Sequence, residues 1–212
     1  MKLTIFGATG AAGRQLIQQA LAEGYDATAF VRNPSRLTIC HENLTVIQGE
    51  LYDVEKIEHA VNSADAIISL LGPRPGEDSK GKPLTQGTRN IIVAMKKFGI
   101  RRLIVVCTPS ASAPSDLPDL KFKLLVSMIK TTMRPVYEEI VNVAQVVRDS
   151  DLDWTIVRVS ILNNNSKFSK VRVGYLGMGE VGVRISRADM AGFILDELKN
   201  AKYISQMPAI SN

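Results

Sequence analysis

The sequence predicts an α/β fold built on a doubly wound parallel sheet. Up to residue 157, short apolar runs alternate with longer segments in which apolar residues recur at helical spacing. The first run ends in a glycine-rich turn that passes directly into a helical pattern. This alternation is typical of parallel sheets whose crossover helices cover both faces.

The chain is long enough for one domain with a sizeable core. Its 212 residues, 45% hydrophobic and 22% charged, have the composition of a soluble globular protein. The first strand begins at residue 2, so we expect no signal peptide, and no apolar run approaches the roughly 18 residues of a membrane helix. Cys40 and Cys107 are far apart and suggest neither a disulfide framework nor a zinc site. We therefore expect a single cytoplasmic domain over residues 1–212, without membrane contact or metal.

The net charge of +5 has two explanations. A basic balance suits nucleic acid, but the basic residues are scattered and few aromatic residues stand beside them. An anionic cofactor and an anionic substrate account for the same sign. We expect no nucleic-acid partner.

The glycine-rich turn carries the strongest functional signal. Gly7, Gly10 and Gly13 have the spacing G-x-x-G-x-x-G between an apolar run and a helical pattern. In a Rossmann-type sheet the first glycine permits the tight turn, the second lets a diphosphate approach, and the third lets the helix pack closely. Free N–H groups at the helix start attract the phosphates. We expect cofactor contacts from Gly7, Thr9, Gly10, Ala11, Ala12 and Gly13. The alternative is an ordinary strand-to-helix turn.

The end of the second strand, residues 26–31, predicts which dinucleotide binds. An acidic residue there would bind the ribose 2′-OH of NAD. This chain has Arg32 and Arg36 instead, and forked guanidinium donors match a 2′-phosphate. We expect NADP(H), with a solvated basic turn as the alternative.

The remaining elements continue the alternation. Further strands are predicted at residues 44–47, 66–71, 102–106 and 154–157. Helices are predicted at residues 11–23, 54–62, 84–98 and 186–200, the first and third closed by glycines.

The C-terminal half has a less regular pattern. Residues 119–149 are mostly helical in pattern, with a break at Pro135, and residues 170–185 suggest short strands around glycines. Ser186 is expected to cap the last helix, with Asp189 in the return position.

Residues after the third and fourth strands are further candidates for cofactor contacts. Glu50 and Leu51 can meet the adenine ring and its amino group. Leu71 and Gly72 would lie under the cofactor, where parallel strands end. Arg74 would meet a phosphate or a substrate anion, or would be solvated.

Five segments together resemble the atypical short-chain dehydrogenase/reductase group. They are Gly7-Ala8-Thr9-Gly10-Ala11-Ala12-Gly13, Val31-Arg32-Asn33-Pro34-Ser35-Arg36, Gly87-Thr88-Arg89-Asn90-Ile91-Ile92, Asp153-Trp154-Thr155-Ile156-Val157-Arg158 and Ile185-Ser186-Arg187-Ala188-Asp189. Within that group the chain resembles the NmrA-like NAD(P)H-binding proteins, most closely the flavin reductase/biliverdin-IX-beta reductase type. The resemblance runs from residue 3 to about residue 203.

One departure from the wider group concerns its Tyr-x-x-x-Lys pair, in which lysine lowers the pKa of the tyrosine so that it donates a proton. Here Tyr137 is followed four residues later by Val141. The flavin and biliverdin reductases also lack the pair. The resemblance implies that they hold the nicotinamide against a stacked substrate, near a serine after strand five.

The serine of that family maps with a shift of one residue. The family's Cys-Thr-Ser stands here as Cys107-Thr108-Pro109-Ser110, and Ser112 is a competitor. Cys107 ends a core strand and is expected to be a small buried residue beside the cofactor, next to Thr108. Ser110 is the candidate catalytic residue, which would position substrate or relay a proton from water. Alternatively, both serines only shape the loop.

Residues 108–135 and 160–187 are expected to form a substrate lobe over the nicotinamide. Both regions are rich in basic residues. An apolar face suited to a flat ring is predicted from Phe122, Leu124, Leu125, Met128, Ile129 and Met133. The same spacing is also typical of plain core.

These observations predict an NADPH-dependent reductase that transfers hydride to a flat, conjugated acceptor such as a flavin, quinone or tetrapyrrole. The resemblance implies a monomer. A non-catalytic NADP(H) sensor is the alternative, since the Tyr-x-x-x-Lys pair is missing. An isomerase or epimerase is disfavoured because such chemistry uses that pair.

Overall fold

A computed structural model of the chain describes residues 1–73, 81, 83–166 and 170–212, except for the side chain of Lys121. The strands are β1 (Lys2–Phe6), β2 (Asp26–Val31), β3 (Leu44–Gln48), β4 (Ala66–Ser69), β5 (Arg102–Cys107), β6 (Asp153–Arg158), β7 (Ile161–Asn163), β8 (Arg172–Gly174), β9 (Arg184–Ser186) and β10 (Ala209–Ser211). The helices are α1 (Ala11–Ala22), α2 (Val54–Val61), α3 (Pro83–Lys97), α4 (Leu120–Thr132), α5 (Arg134–Arg148) and α6 (Arg187–Asn200), with a 3₁₀ turn at Pro34–Arg36. No helix within the described ranges is long and apolar enough to cross a membrane.

Eight strands form one sheet in the order β3-β2-β1-β4-β5-β6-β10-β8. All neighbours pair in parallel except β8, which is antiparallel to β10 at the edge. Strands β7 and β9 form a separate parallel pair. Chain order runs outward from β1 to β3 on one side and to β6 on the other, so the predicted doubly wound α/β fold is confirmed.

The two faces of the sheet carry separate apolar cores. Leu3 and Ile5 of β1 pack with α1 and α6, whereas Phe6 packs with α2, α3 and α5. Successive side chains of a strand point to opposite faces, so a strand covered on both sides reads as one continuous apolar run. This accounts for the pattern that predicted β1.

Most predicted elements agree with the structure to within two residues, with two differences. The predicted break at Pro135 is wrong in place: α4 ends before Met133, and Pro135 lies in the first turn of α5. A proline is tolerated there because the first N–H groups of a helix have no intrahelical partner. Strands β7 and β10 were not predicted, since three residues are too few to show a period.

The expected cap of α6 is confirmed. The Ser186 hydroxyl accepts a hydrogen bond from the Asp189 backbone N–H at 3.0 Å and donates one to the Asp189 carboxylate. Asp189 also accepts a hydrogen bond from the side chain of Asn212. The cap therefore joins the start of α6 to the last residue of the sequence.

A buried glutamate of α5 caps α3. The fully buried Glu139 carboxylate accepts hydrogen bonds from the backbone N–H groups of Leu84 at 2.8 Å and Thr85 at 3.1 Å. It also accepts a short one from the Thr85 hydroxyl. These donors and the positive end of the helix dipole stabilise its charge.

We expect Glu139→Ala to lower the free energy of unfolding by about 2 kcal/mol, because it leaves the first N–H groups of α3 without a partner. Urea denaturation measures the change. Glu138→Ala is the matched control: this neighbour makes an exposed ion pair with Arg134, whose loss costs well under about 1 kcal/mol. Equal losses for the two variants would contradict the capping role.

Cys107 ends β5 inside the core beneath α3 and α5. Burial raises the pKa of its thiol to about 12, although the nearby Arg158 guanidinium opposes that shift. Cys40 is exposed. The two thiols therefore differ in access and Cys107 is protonated at neutral pH.

A disulfide reagent at pH 8 is expected to modify one thiol of the native protein rapidly and two after denaturation. Thiolate is the reactive form, and below its raised pKa Cys107 stays a buried thiol. Thiol titration measures the count, and Cys40→Ser should remove the rapid phase. Rapid reaction of both thiols in the native protein would show that the end of β5 is open.

Candidate functional site

The strand register brings the predicted site residues to one edge of the sheet, where the parallel strands end; we call it the carboxyl edge. Phe6 of β1 pairs with Phe30 of β2 and Ser69 of β4, and Ser69 pairs with Val105 of β5. The residues that follow these strands therefore lie side by side. They are the glycine turn, Arg32, Leu71 and Gly72, and Thr108.

The glycine turn is closed by backbone contacts that leave no room for side chains at two positions. Gly7 has φ +83°, and a Cβ there would lie 2.8 Å from the Leu70 carbonyl carbon. A Cβ on Gly13 would lie 2.7 Å from the Ala8 Cα and closer still to the Gly7 carbonyl oxygen. The Gly10 N–H donates to that same carbonyl at 3.1 Å. The start of α1 therefore lies directly against the end of β1.

The first turn of α1 has neither an acidic residue nor a side-chain cap among the described residues. By contrast α2 and α3, which also begin at the carboxyl edge, are capped by the carboxylates of Asp53 and Glu139. The N–H groups and positive dipole of α1 are thus available to an external anion. Together with the glycine contacts, this fits the diphosphate of a dinucleotide, with Thr9, Ala11 and Ala12 beside it.

The end of β2 carries the predicted arginines. Arg32 and Arg36 are exposed; Arg32 precedes the 3₁₀ turn and Arg36 is its last residue. Asn33 shapes this turn, since its side chain accepts from the Ser35 N–H at 3.1 Å. The Arg32 carbonyl accepts from the Gln48 side chain at 3.3 Å, which ties the turn to β3.

The ends of β3 and β4 also reach this edge. Glu50 and Leu51 are partly exposed, and the Leu51 carbonyl accepts from the Asn90 side chain of α3 at 2.8 Å. Leu71 is partly buried and Gly72 is exposed. Arg74, the remaining candidate near β4, lies outside the described residues.

The loop after β5, residues 108–119, contains both candidate serines, which differ in exposure; we call it the Ser110 loop. Ser110 is 5% exposed, and its hydroxyl has no hydrogen-bond partner among the described residues. Its N–H lies 3.4 Å from the Thr108 hydroxyl. Ser112 is exposed. A buried polar atom without a partner is costly, so the Ser110 hydroxyl is the one suited to a ligand or bound water.

A buried ion pair joins the Ser110 loop to the end of β6. Arg158, at the end of β6, has a fully buried side chain and donates to both carboxylate oxygens of Asp116 at 2.5 and 2.8 Å. Fully buried charges are rare unless paired in this way. The pair fixes the loop to the sheet.

Three residues at this edge were not expected from the sequence: Arg14, Asp116 and Arg158. The Arg14 guanidinium donates to the Thr9 carbonyl at 2.6 Å and so closes the glycine turn. The only sequence signal for the ion pair is a lone arginine within the apolar run of residues 154–159. Its partner lies 42 residues away and no local pattern indicates it.

The apolar face predicted for α4 is wrong in part, because Phe122 does not belong to it. Phe122 is buried against Leu176, whereas Leu124 and Met128 are 64% and 56% exposed. Residues two apart on a helix point about 200° apart, so Phe122 cannot share a face with Leu124, while Leu124 and Met128, four apart, lie on one exposed face. Met133 lies outside α4, between the two helices.

Comparison of the sequence with known proteins finds a nucleotide-binding family. A family model described as NAD(P)H-binding matches residues 7–201. Reductase pytE of Aspergillus terreus is 25% identical over 241 residues, covering 92% of this chain and 90% of that protein. The photosystem II assembly factor Ycf39 of Guillardia theta is 30% identical over 125 residues, which are 58% of this chain but only 40% of that protein.

Two solved structures share the fold over the whole chain. A short-chain dehydrogenase/reductase from Veillonella parvula DSM 2008, in complex with NADP, has a TM-score of 0.78 at 22% identity and is covered over 94% of its length. ChuY, an anaerobillin reductase from Escherichia coli O157:H7, has a TM-score of 0.78 at 24% identity and is covered over 97%. The family match spans nearly the entire sequence and the same region forms the glycine turn and the sheet around it. The chain therefore belongs to the NAD(P)H-binding family of Rossmann-fold proteins, whose members include reductases.

Proposed function

We propose that the protein is an NADPH-dependent reductase that transfers hydride to a flat, conjugated acceptor such as a flavin, quinone or tetrapyrrole. The observation that carries this proposal is the Ser110 hydroxyl, buried and without a partner among the described residues, at the same sheet edge as the glycine turn. A redox cofactor on the glycine turn and a polar group for its reaction partner would then share one edge. The protein's contribution is orientation and exclusion of water.

NADPH is the proposed form of the cofactor. The first turn of α1 would hold the diphosphate through backbone N–H groups, and Arg32 and Arg36 would hold the 2′-phosphate. No acidic residue directly follows β2 to bind a free ribose hydroxyl, because Arg32 occupies that position. Glu50 and Leu51 would meet the adenine ring, and Leu71, Gly72, Cys107 and Thr108 would line the floor beneath the nicotinamide.

When bound, the cofactor supplies a hydride, carrying two electrons, to the acceptor, which also takes one proton. Ser110 would hold a polar atom of the acceptor or the water that delivers this proton. A serine hydroxyl is too weak an acid to be the net proton source, so that proton comes from water. In this scheme the Ser110 loop orients the acceptor.

The acceptor class is proposed from the family resemblance and from charge. ChuY, which shares the fold, is named an anaerobillin reductase. The regions proposed as the substrate lobe, residues 108–135 and 160–187, are basic and so favour an anionic acceptor. We further propose a cytoplasmic monomer that acts as one domain.

A non-catalytic NADP(H) sensor is the second candidate. The observation that favours it is that Tyr137, in the helix before β6, is followed four residues later by Val141 rather than by the lysine of a Tyr-x-x-x-Lys pair. One relative, Ycf39, is named as an assembly factor. A sensor would bind NADPH without oxidising it.

Arg32→Asp is expected to weaken NADPH binding at least about tenfold more than NADH binding, because it replaces a phosphate donor with a carboxylate. Titration of NADPH and NADH fluorescence measures both affinities. Lys96→Asp makes the same change in charge in the last turn of α3, away from this edge, and should affect the two cofactors alike. Equal losses for NADPH and NADH in Arg32→Asp would refute the 2′-phosphate assignment.

Purified protein is expected to oxidise NADPH with one of FMN, riboflavin, a quinone or biliverdin, offered separately and followed by NADPH absorbance. Ser110→Ala should lower kcat by about tenfold to a hundredfold, because a polar contact to the acceptor is lost, and leave NADPH affinity unchanged. Ser112→Ala, on the exposed serine of the same loop, should behave as wild type. NADPH binding without turnover on any acceptor would favour the sensor instead.

A further inference from the structure

We propose that Asp116 and Arg158 are positioning residues for the reaction, acting through Ser110. Their buried ion pair fixes the Ser110 loop so that the Ser110 hydroxyl is held at the carboxyl edge of the sheet. This inference rests on the proposed reductase function, since it concerns how the acceptor is oriented.

Arg158 connects three segments of the chain. Its Nε donates to the Met207 carbonyl at 2.8 Å, just before β10, and its Nη1 reaches the Ala111 carbonyl at 3.4 Å. The remaining donors bind the Asp116 carboxylate. A guanidinium has its donors in one plane, so these bonds fix the position of Ala111 relative to the sheet.

Asp116 completes the connection from inside the loop. Besides Arg158, its carboxylate accepts from the backbone N–H groups of Ala113 at 2.8 Å and Leu176 at 3.0 Å. The Leu117 N–H donates to the Leu176 carbonyl at 2.9 Å. Gly177 follows, with φ +82°, and a Cβ there would lie 2.7 Å from the Leu117 carbonyl carbon. The loop is thus bound to the turn after β8 at several points.

Ser110 lies between two points that this network holds. On one side Thr108 follows the end of β5, and its carbonyl accepts from the Ala111 N–H at 3.1 Å. On the other side the Ala111 carbonyl faces Arg158. Because the loop has no helix or strand of its own, the ion pair supplies the constraint that regular structure supplies elsewhere. A displacement of about 1 Å at such a residue is enough to reduce turnover.

The chain contains a second buried ion pair that serves as a control. Glu197 of α6 binds Arg102 at the start of β5, away from the carboxyl edge, with an N–O distance of 2.7 Å. Its carboxylate also accepts from the backbone N–H groups of Lys202 at 3.1 Å and Tyr203 at 3.0 Å. Like the Asp116 carboxylate, it combines one guanidinium with two backbone donors. The two pairs differ in which end of the sheet they hold.

The experiment compares Asp116→Asn with Glu197→Gln in the intact protein, with kcat for the best acceptor expressed per folded molecule and with NADPH affinity measured separately. We expect Asp116→Asn to lower kcat about tenfold or more while NADPH affinity stays within about twofold. Glu197→Gln should lose a comparable amount of thermal stability and keep kcat. Equal kcat values for the two variants would overturn the inference.

A double-mutant cycle tests whether Asp116 acts through Ser110. In the Ser110→Ala background, Asp116→Asn should reduce kcat by no more than about twofold further, because the group it positions is already absent. Independent, multiplicative losses would overturn the inference. If Asp116→Asn does not fold, Arg158→Lys replaces it: this variant keeps the charge but loses the forked geometry, and the same loss of kcat is expected.

The outcomes separate the two proposals. If none of the acceptors allows the wild-type protein to oxidise NADPH, the reductase function fails and the positioning role fails with it. If wild type is active and Asp116→Asn matches Glu197→Gln, only the positioning role fails.

Discussion

The arrangement of this molecule depends on how closely α1 approaches the end of β1. At Gly7 and Gly13 the backbone of the turn contacts the neighbouring backbone where a Cβ would stand. This contact sets the first turn of α1 directly over the carboxyl edge. The parallel register then places the ends of β2, β4 and β5 around it. One close approach between a helix and a strand therefore decides where an anion can bind and which residues surround it.

The fold, the glycine turn and the position of Arg32 after β2 could be predicted from the sequence because their signals are local. Gly7, Gly10 and Gly13 stand within one turn, and Arg32 directly follows the strand that positions it. The ion pair behind Ser110 could not be predicted, because Asp116 and Arg158 are 42 residues apart and meet only when β5 and β6 pair. Periodicity also misled at α4: it counted apolar residues but could not show that Phe122 faces inward and Leu124 outward.

The starts of α1 and α3 differ in whether a side chain of the protein caps them. Glu139 occupies the start of α3 with a carboxylate from the chain itself, whereas no side chain of the described residues caps the start of α1. The starts of two helices that follow neighbouring strands, β1 and β4, are thereby made unequal. Under the proposed placement, a dinucleotide phosphate would meet a positive site at one of them and an internal anion at the other, which favours a single placement of the cofactor.

The network around Arg158 also bears on the order in which the molecule is assembled during synthesis. The residues whose backbone contacts the glycine turn have all been synthesised once the chain has passed β4 and reached Leu71. By contrast, the Met207 carbonyl that binds Arg158 and the Leu176 N–H that binds Asp116 are synthesised much later. Because chains are made from the N-terminus, the backbone contacts of the glycine turn can form before those of the Ser110 loop, while the packing of α1 is completed only by α6. The contacts that shape the glycine turn therefore come from an earlier part of the chain than the contacts that fix the Ser110 loop.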